Sequence, residues 1–102
     1  MYKVLAHELA AQELEELPDR LRGQMFRLIE RLESEGQLKM PHSKVIGGGL
    51  FELRVGGADI ARTLYCYAKG QNVYLLHAFV KKTQTTPAKA IKLARQRLED
   101  FE

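Results

Sequence analysis

The sequence predicts an α+β fold in which a helical hairpin covers one face of an antiparallel sheet of about four strands and a further helix closes the chain. Three observations predict it. Apolar residues recur at helical spacing before residue 36, the pattern changes to strict alternation after Gly47, Gly48 and Gly49, and it returns to helical spacing beyond Pro87.

Residues 2–6 (YKVLA) form a short first strand. Residues 8–17 combine good helix formers with acids in the first turns, where the helix dipole favours negative charge. Pro18 ends that helix and suits the first turn of the next. In the second helix Leu21, Met25, Leu28, Ile29 and Leu32 recur at spacings of 4, 3, 1 and 3 and line one face. Gly36 supplies a left-handed stop, and residues 37–43, with Pro41, read as a connection. The following strand places Phe51, Leu53 and Val55 on one face and Glu52 and Arg54 on the other. After a turn at Gly56 and Gly57, residues 60–68 alternate again, with Ala61, Thr63, Tyr65 and Tyr67 opposite Arg62, Leu64 and Cys66. A turn at Lys69, Gly70 and Gln71 leads to a strand over 72–80, so three consecutive strands form a meander. Thr85 or Thr86 then stands where a cap belongs, with Pro87 at the first helical position and Ile91, Ala94, Leu98 and Phe101 as the apolar stripe.

A chain of 102 residues with 45% apolar and 28% charged residues is one domain, spanning 1–102, with a core but little stability in reserve. No stretch is apolar and long enough for a membrane span or a signal-peptide core, so no membrane partner is expected. The lone Cys66, read as a small buried hydrophobe, fits a cytoplasmic protein. Charge is divided unevenly: residues 1–35 hold 5 basic and 8 acidic side chains, whereas residues 36–102 hold 11 and 5. The later part therefore offers a positive field to a polyanion, and nucleic acid is the leading partner class.

Arg54 and Arg62 alternate with apolar residues on strands that pair across a short turn, so their side chains come together and are expected to reach solvent or an anion. Lys81 and Lys82 end the adjacent strand in FVKKTQTTP, residues 79–87. Four converging cations repel one another, and a bound phosphate relieves that repulsion. The alternative is that Glu52 and Asp59 pair with two of them. A two-metal nuclease needs several carboxylates at one site, and this stretch offers two, so neither metal nor other cofactor is expected. RNA carries its own nucleophile, the 2′-hydroxyl; a protein cleaves it by aligning that oxygen, moving protons and stabilising negative charge. Arg62, mid-strand on a rigid sheet, is the residue on which such a reaction is expected to depend most. His42 and Lys44, before the sheet meander, and Thr83 and Lys89, around the start of the last helix, are the expected RNA contacts. His77 reads as a hydrogen-bonded structural residue, and Tyr65, Tyr67 and Tyr74 as core or as stacking platforms for bases.

The order GLFELR, then ARTLYCY, then LLHAFVKKTQTTPAKAIKLARQRL resembles the phage-derived, HigB-like branch of the RelE/ParE toxin superfamily over nearly the whole chain. The resemblance implies a curved RelE-like sheet and the toxin of a type II toxin-antitoxin module. It also implies ribosome-dependent cleavage of mRNA, an mRNA interferase activity that inhibits translation. Arg54, Arg62 and Lys81 or Lys82 fall on the family's basic positions. The implied partners are a cognate helix-turn-helix antitoxin, the ribosome and mRNA, with DNA engaged only through the antitoxin. The last helix has no tyrosine, unlike the best-known RelE pattern, so the group that protonates the leaving oxygen is not assigned. A ParE-like gyrase-binding toxin and a module that binds only its antitoxin are the alternative functions.

Overall fold

The computed structural model describes residues 1–57, 59–81 and 85–101. Its elements run β1 (Lys3–Ala6), α1 (Glu8–Glu15), α2 (Asp19–Glu35), β2 (Ser43–Gly47), β3 (Leu50–Gly56), β4 (Ile60–Ala68), β5 (Asn72–Lys81) and α3 (Ala88–Leu98), followed by a 3-10 turn, Glu99–Phe101. The strands form one sheet in the order β1-β5-β4-β3-β2. β3, β4 and β5 make the antiparallel meander that the alternation predicts.

Two features correct the sequence reading. The sheet has five strands among the described residues, because Ser43–Gly47 pairs antiparallel with β3 as an edge strand, in a stretch to which the sequence reading assigned no strand. β1 runs parallel to β5, so the sheet is mixed. A parallel neighbour needs a long crossover, and here the rest of the chain between the two strands supplies it.

Helix α1 starts at His7, whose Nδ1 accepts the Leu9 N–H at 3.1 Å. The α2 stripe behaves as its spacing requires: Leu21, Met25, Leu28, Ile29 and Leu32 are all buried. They meet Leu53, Ala61, Tyr65, Val73, Leu75 and Ala78 on the sheet. Gly36 ends α2 at φ 80°. A side chain there would be strained and would collide with the Tyr2 ring. The opposite sheet face is not open, because α3 lies over it and buries Leu50, Leu64, Cys66 and Leu76 against Ala90 and Ala94. The layers are thus hairpin, sheet and terminal helix.

A partly buried ion cluster clamps α3 in place. Arg97 donates from Nη1 and Nη2 to the two carboxylate oxygens of Glu13 on α1, at 2.7 and 2.9 Å, and from Nη1 to the Leu76 carbonyl at 3.0 Å. Glu13 also accepts from the Ala78 N–H and meets His77 Nδ1 at 2.9 Å. Burial works against its charge, yet hydrogen bonds from Arg97, His77 and Ala78 together hold the Glu13 carboxyl below its ordinary value. His77, stacked on Phe79, is the hydrogen-bonded structural residue that its apolar surroundings suggest.

Candidate functional site

The register of the meander gathers the predicted basic residues. Arg54 on β3 lies directly opposite Arg62 on β4, which in turn faces Phe79 on β5, and Ile60 faces Lys81. Cross-strand partners share a face and alternate residues repeat it. Arg54, Arg62 and Lys81 therefore belong to the sheet face that α3 covers further along, with Lys81 at its exposed end. Lys82 and Thr83 lie outside the described residues.

Arg62 departs from expectation. Its side chain is fully buried at 0% exposure, closed to solvent and facing an internal carboxylate where a bound phosphate was expected. The physical reason is Glu52, equally buried, whose carboxylate stands 3.4 Å from Arg54 Nε and 3.9 Å from Arg62 Nη1. An internal counter-charge makes burial of a guanidinium tolerable. Burial still pulls the Arg62 pKa down from its ordinary value; Glu52 opposes that pull and Arg54 adds to it. Thr86 completes the arrangement by donating its hydroxyl to Glu52 Oε2 at 2.6 Å. That contact corrects the expected helix cap, since α3 begins after Pro87 with no side-chain cap hydrogen bond.

Arg54 is the hinge of the site. Its side chain keeps 14% exposure, and the residue borders a groove of about 610 Å³ between α2 and the ends of β3 and β4. His42 lies on the rim, and its carbonyl accepts the Arg54 N–H at 3.0 Å. Lys44 pairs with Glu52 in the β2–β3 register, one step along the same sheet face. Lys89 is exposed in the first turn of α3.

The tyrosines pack into or against the core. Tyr65 is buried and shares a 2.6 Å hydrogen bond with Ser43, Tyr67 donates to the Gly36 carbonyl, and Tyr74 stacks on Phe101 at 4.0 Å. Burial raises the phenol pKa of Tyr65 and of Tyr67, so neither is placed to give up a proton. Among the described residues no three His, Cys, Asp or Glu side chains group as a metal site.

Two groove residues went unnoticed in the sequence, Arg27 and Arg31 on α2. They were concealed because the N-terminal third is net acidic. Helical spacing was the available signal, since Gln24, Arg27, Leu28 and Arg31 recur at 3, 1 and 3 and so share one face.

A mixed five-stranded sheet with the hairpin on one face and a terminal helix on the other is a fold that solved RelE toxins share. Similar structures include E. coli toxin RelE, a mutant in the free state, with TM-score 0.70 at 16% identity over 95% of this chain and 97% of that one. The RelBE2 toxin-antitoxin complex of Mycobacterium tuberculosis aligns with TM-score 0.60 at 22% identity, over 78% of this chain and 98% of that one. At residues 12–99 the sequence matches the family described as phage-derived protein, Gp49-like (DUF891), and the chain belongs to that family. No curated protein matches the sequence.

Proposed function

We propose that this protein is the toxin of a toxin-antitoxin pair and that it arrests translation by cutting mRNA held on the ribosome, without a metal ion. The observation that carries the reading is the Arg54–Arg62 cross-strand pair with Lys81 on the same face. The likeness in fold to RelE and to a RelBE2 complex supports both the toxin class and an antitoxin partner.

The chemistry follows from which groups meet solvent. Arg54 and Lys81 contact the scissile phosphate, while Arg62 stays enclosed behind them and Glu52 holds the Arg54 guanidinium in place. The 2′-oxygen loses its proton and bonds to phosphorus, the bond from phosphorus to the 5′-oxygen breaks, and that oxygen takes up a proton. A cyclic 2′,3′-phosphate and a free 5′-hydroxyl result. Donors aimed at the developing charge favour the transition state. With few groups exposed, the protein depends on the ribosome to bend the message into line. Lys82 and Thr83 join the contacts from the FVKKTQTTP segment.

The alternative of a module that only binds its antitoxin draws on one observation, that Glu52 already neutralises part of the arginine charge. Cell-free translation separates the readings. The ribonuclease reading expects cuts in ribosome-bound message and little cutting of naked RNA. Cleavage of naked RNA that EDTA abolishes, or translation arrest with intact message, contradicts it. Inhibition of gyrase without RNA cleavage points to the ParE-like alternative.

A further inference from the structure

We infer that the groove between α2 and the end of β3 is a second RNA subsite, which seats the strand flanking the cut on Arg27, Arg31 and His42 while Arg54 joins it to the reaction centre. The inference rests on the RNA reading of the site and names the path that the substrate takes.

Arg54 belongs to both places: it faces Glu52 on one side and lines the groove on the other. A phosphate held by Arg54 therefore directs one arm of the chain into the groove. Arg27 and Arg31 stand one helical turn apart, about 5–6 Å between Cβ atoms, close to the spacing of successive phosphates on an extended strand. Leu28 and Val55 give the groove an apolar floor on which a base can rest. Its volume of about 610 Å³ is within the range of nucleotide-sized sites.

The charges in the groove are available. Arg27 and His42 are exposed, and Arg31 meets Glu35 at 3.0 Å in a half-exposed pair that contributes little to stability and can exchange its carboxylate for a phosphate. Arg27, Arg31 and Arg54 put cations along the groove, and a cationic groove that tracks the backbone is how single strands are held. An acidic protein helix would want a longer apolar floor than Leu28, Val55 and Ile60 provide.

The test uses the full chain and a labelled RNA of about ten nucleotides, long enough for one strand-binding site, with every 2′-hydroxyl methylated so that it cannot be cut. Fluorescence anisotropy across a salt series compares wild type, Arg27→Ala/Arg31→Ala, and a charge-matched control. The control is Lys3→Ala/Lys69→Ala, at the opposite end of the sheet. The groove variant is expected to bind about tenfold more weakly, with its slope of log affinity against log salt flatter by about 1.4, or 0.7 per lost contact. The control is expected to change affinity less than about twofold. Equal losses in both variants mean that net charge alone acts, and overturn the subsite. Unchanged RNA affinity with weakened antitoxin binding makes the groove a protein seat, and also overturns it. Wild type that binds through Arg27 and Arg31 yet never cuts message on ribosomes sinks the ribonuclease reading and leaves the groove standing. Wild type that cuts, beside a groove variant that binds RNA equally well, sinks the groove alone.

Discussion

Replacing Glu52 by Gln removes the carboxylate charge that stands between Arg54 and Arg62 while keeping the shape and the oxygen that accepts from Thr86. The cost follows from position. Glu52 and Arg62 are both at 0% exposure, and the nearer approach to Arg54 is 3.4 Å. At an effective dielectric constant of about 20, opposite charges roughly 4 Å apart interact by about 4 kcal/mol. Removing one partner of a buried pair typically costs about 3–5 kcal/mol, because the other charge keeps its desolvation penalty. Urea denaturation of Glu52→Gln is therefore expected to show a loss of about 3 kcal/mol or more, a large share of a small domain's total. In a thermal scan the same loss lowers Tm by more than about 12 °C. Thr86→Val, which removes only the hydrogen bond to the carboxylate, is expected to cost about 1.5–3 kcal/mol. A Glu52→Gln protein within about 1 kcal/mol of wild type refutes the reasoning, since the guanidiniums would then be solvated or neutralised without this carboxylate.

Three further outcomes are expected. Glu13 has a folded-state pKa below its ordinary 4.5, so its contribution is present above that value and is lost as pH falls through the folded pKa. Glu13→Gln should flatten the acid limb of a stability-against-pH curve and cost about 1.5–3 kcal/mol near neutrality, read by urea titration, because Arg97 loses its bidentate partner. Gly36→Ala, at φ 80° and against the Tyr2 ring, should lose more than about 1 kcal/mol in the same assay. Lys81→Ala should slow cleavage by roughly a hundredfold and leave stability within about 0.5 kcal/mol, as expected of an exposed residue.

Periodicity carried most of the fold. The α2 stripe and the alternation in β3 and β4 depend on local spacing, and each apolar position fell on a buried face. β2 escaped because Lys44, Val45 and Ile46 are too few to show alternation, and Val45 at 68% exposure is not a core residue. The parallel pairing of β1 is a long-range choice that no local pattern encodes. At the site, the register of Arg54 against Arg62 was legible from the short turn between their strands. The burial of Arg62 was not, because it depends on Thr86 and α3 returning over the sheet to Glu52, 34 residues away in sequence. Arg27 and Arg31 needed a helical-face count of charges as well as of apolar residues. Their place in the groove depends on how α2 packs against β3.

Single-turnover cleavage of a message on programmed ribosomes, followed by primer extension with wild type and Arg54→Ala side by side, tests the central claim most directly. The account predicts cuts within the ribosome-covered stretch that end in a cyclic phosphate, and a loss of rate of about a hundred to a thousandfold in a variant that stays folded. Intact message with the wild-type protein, or a folded Arg54→Ala protein cutting at the wild-type rate, would contradict it.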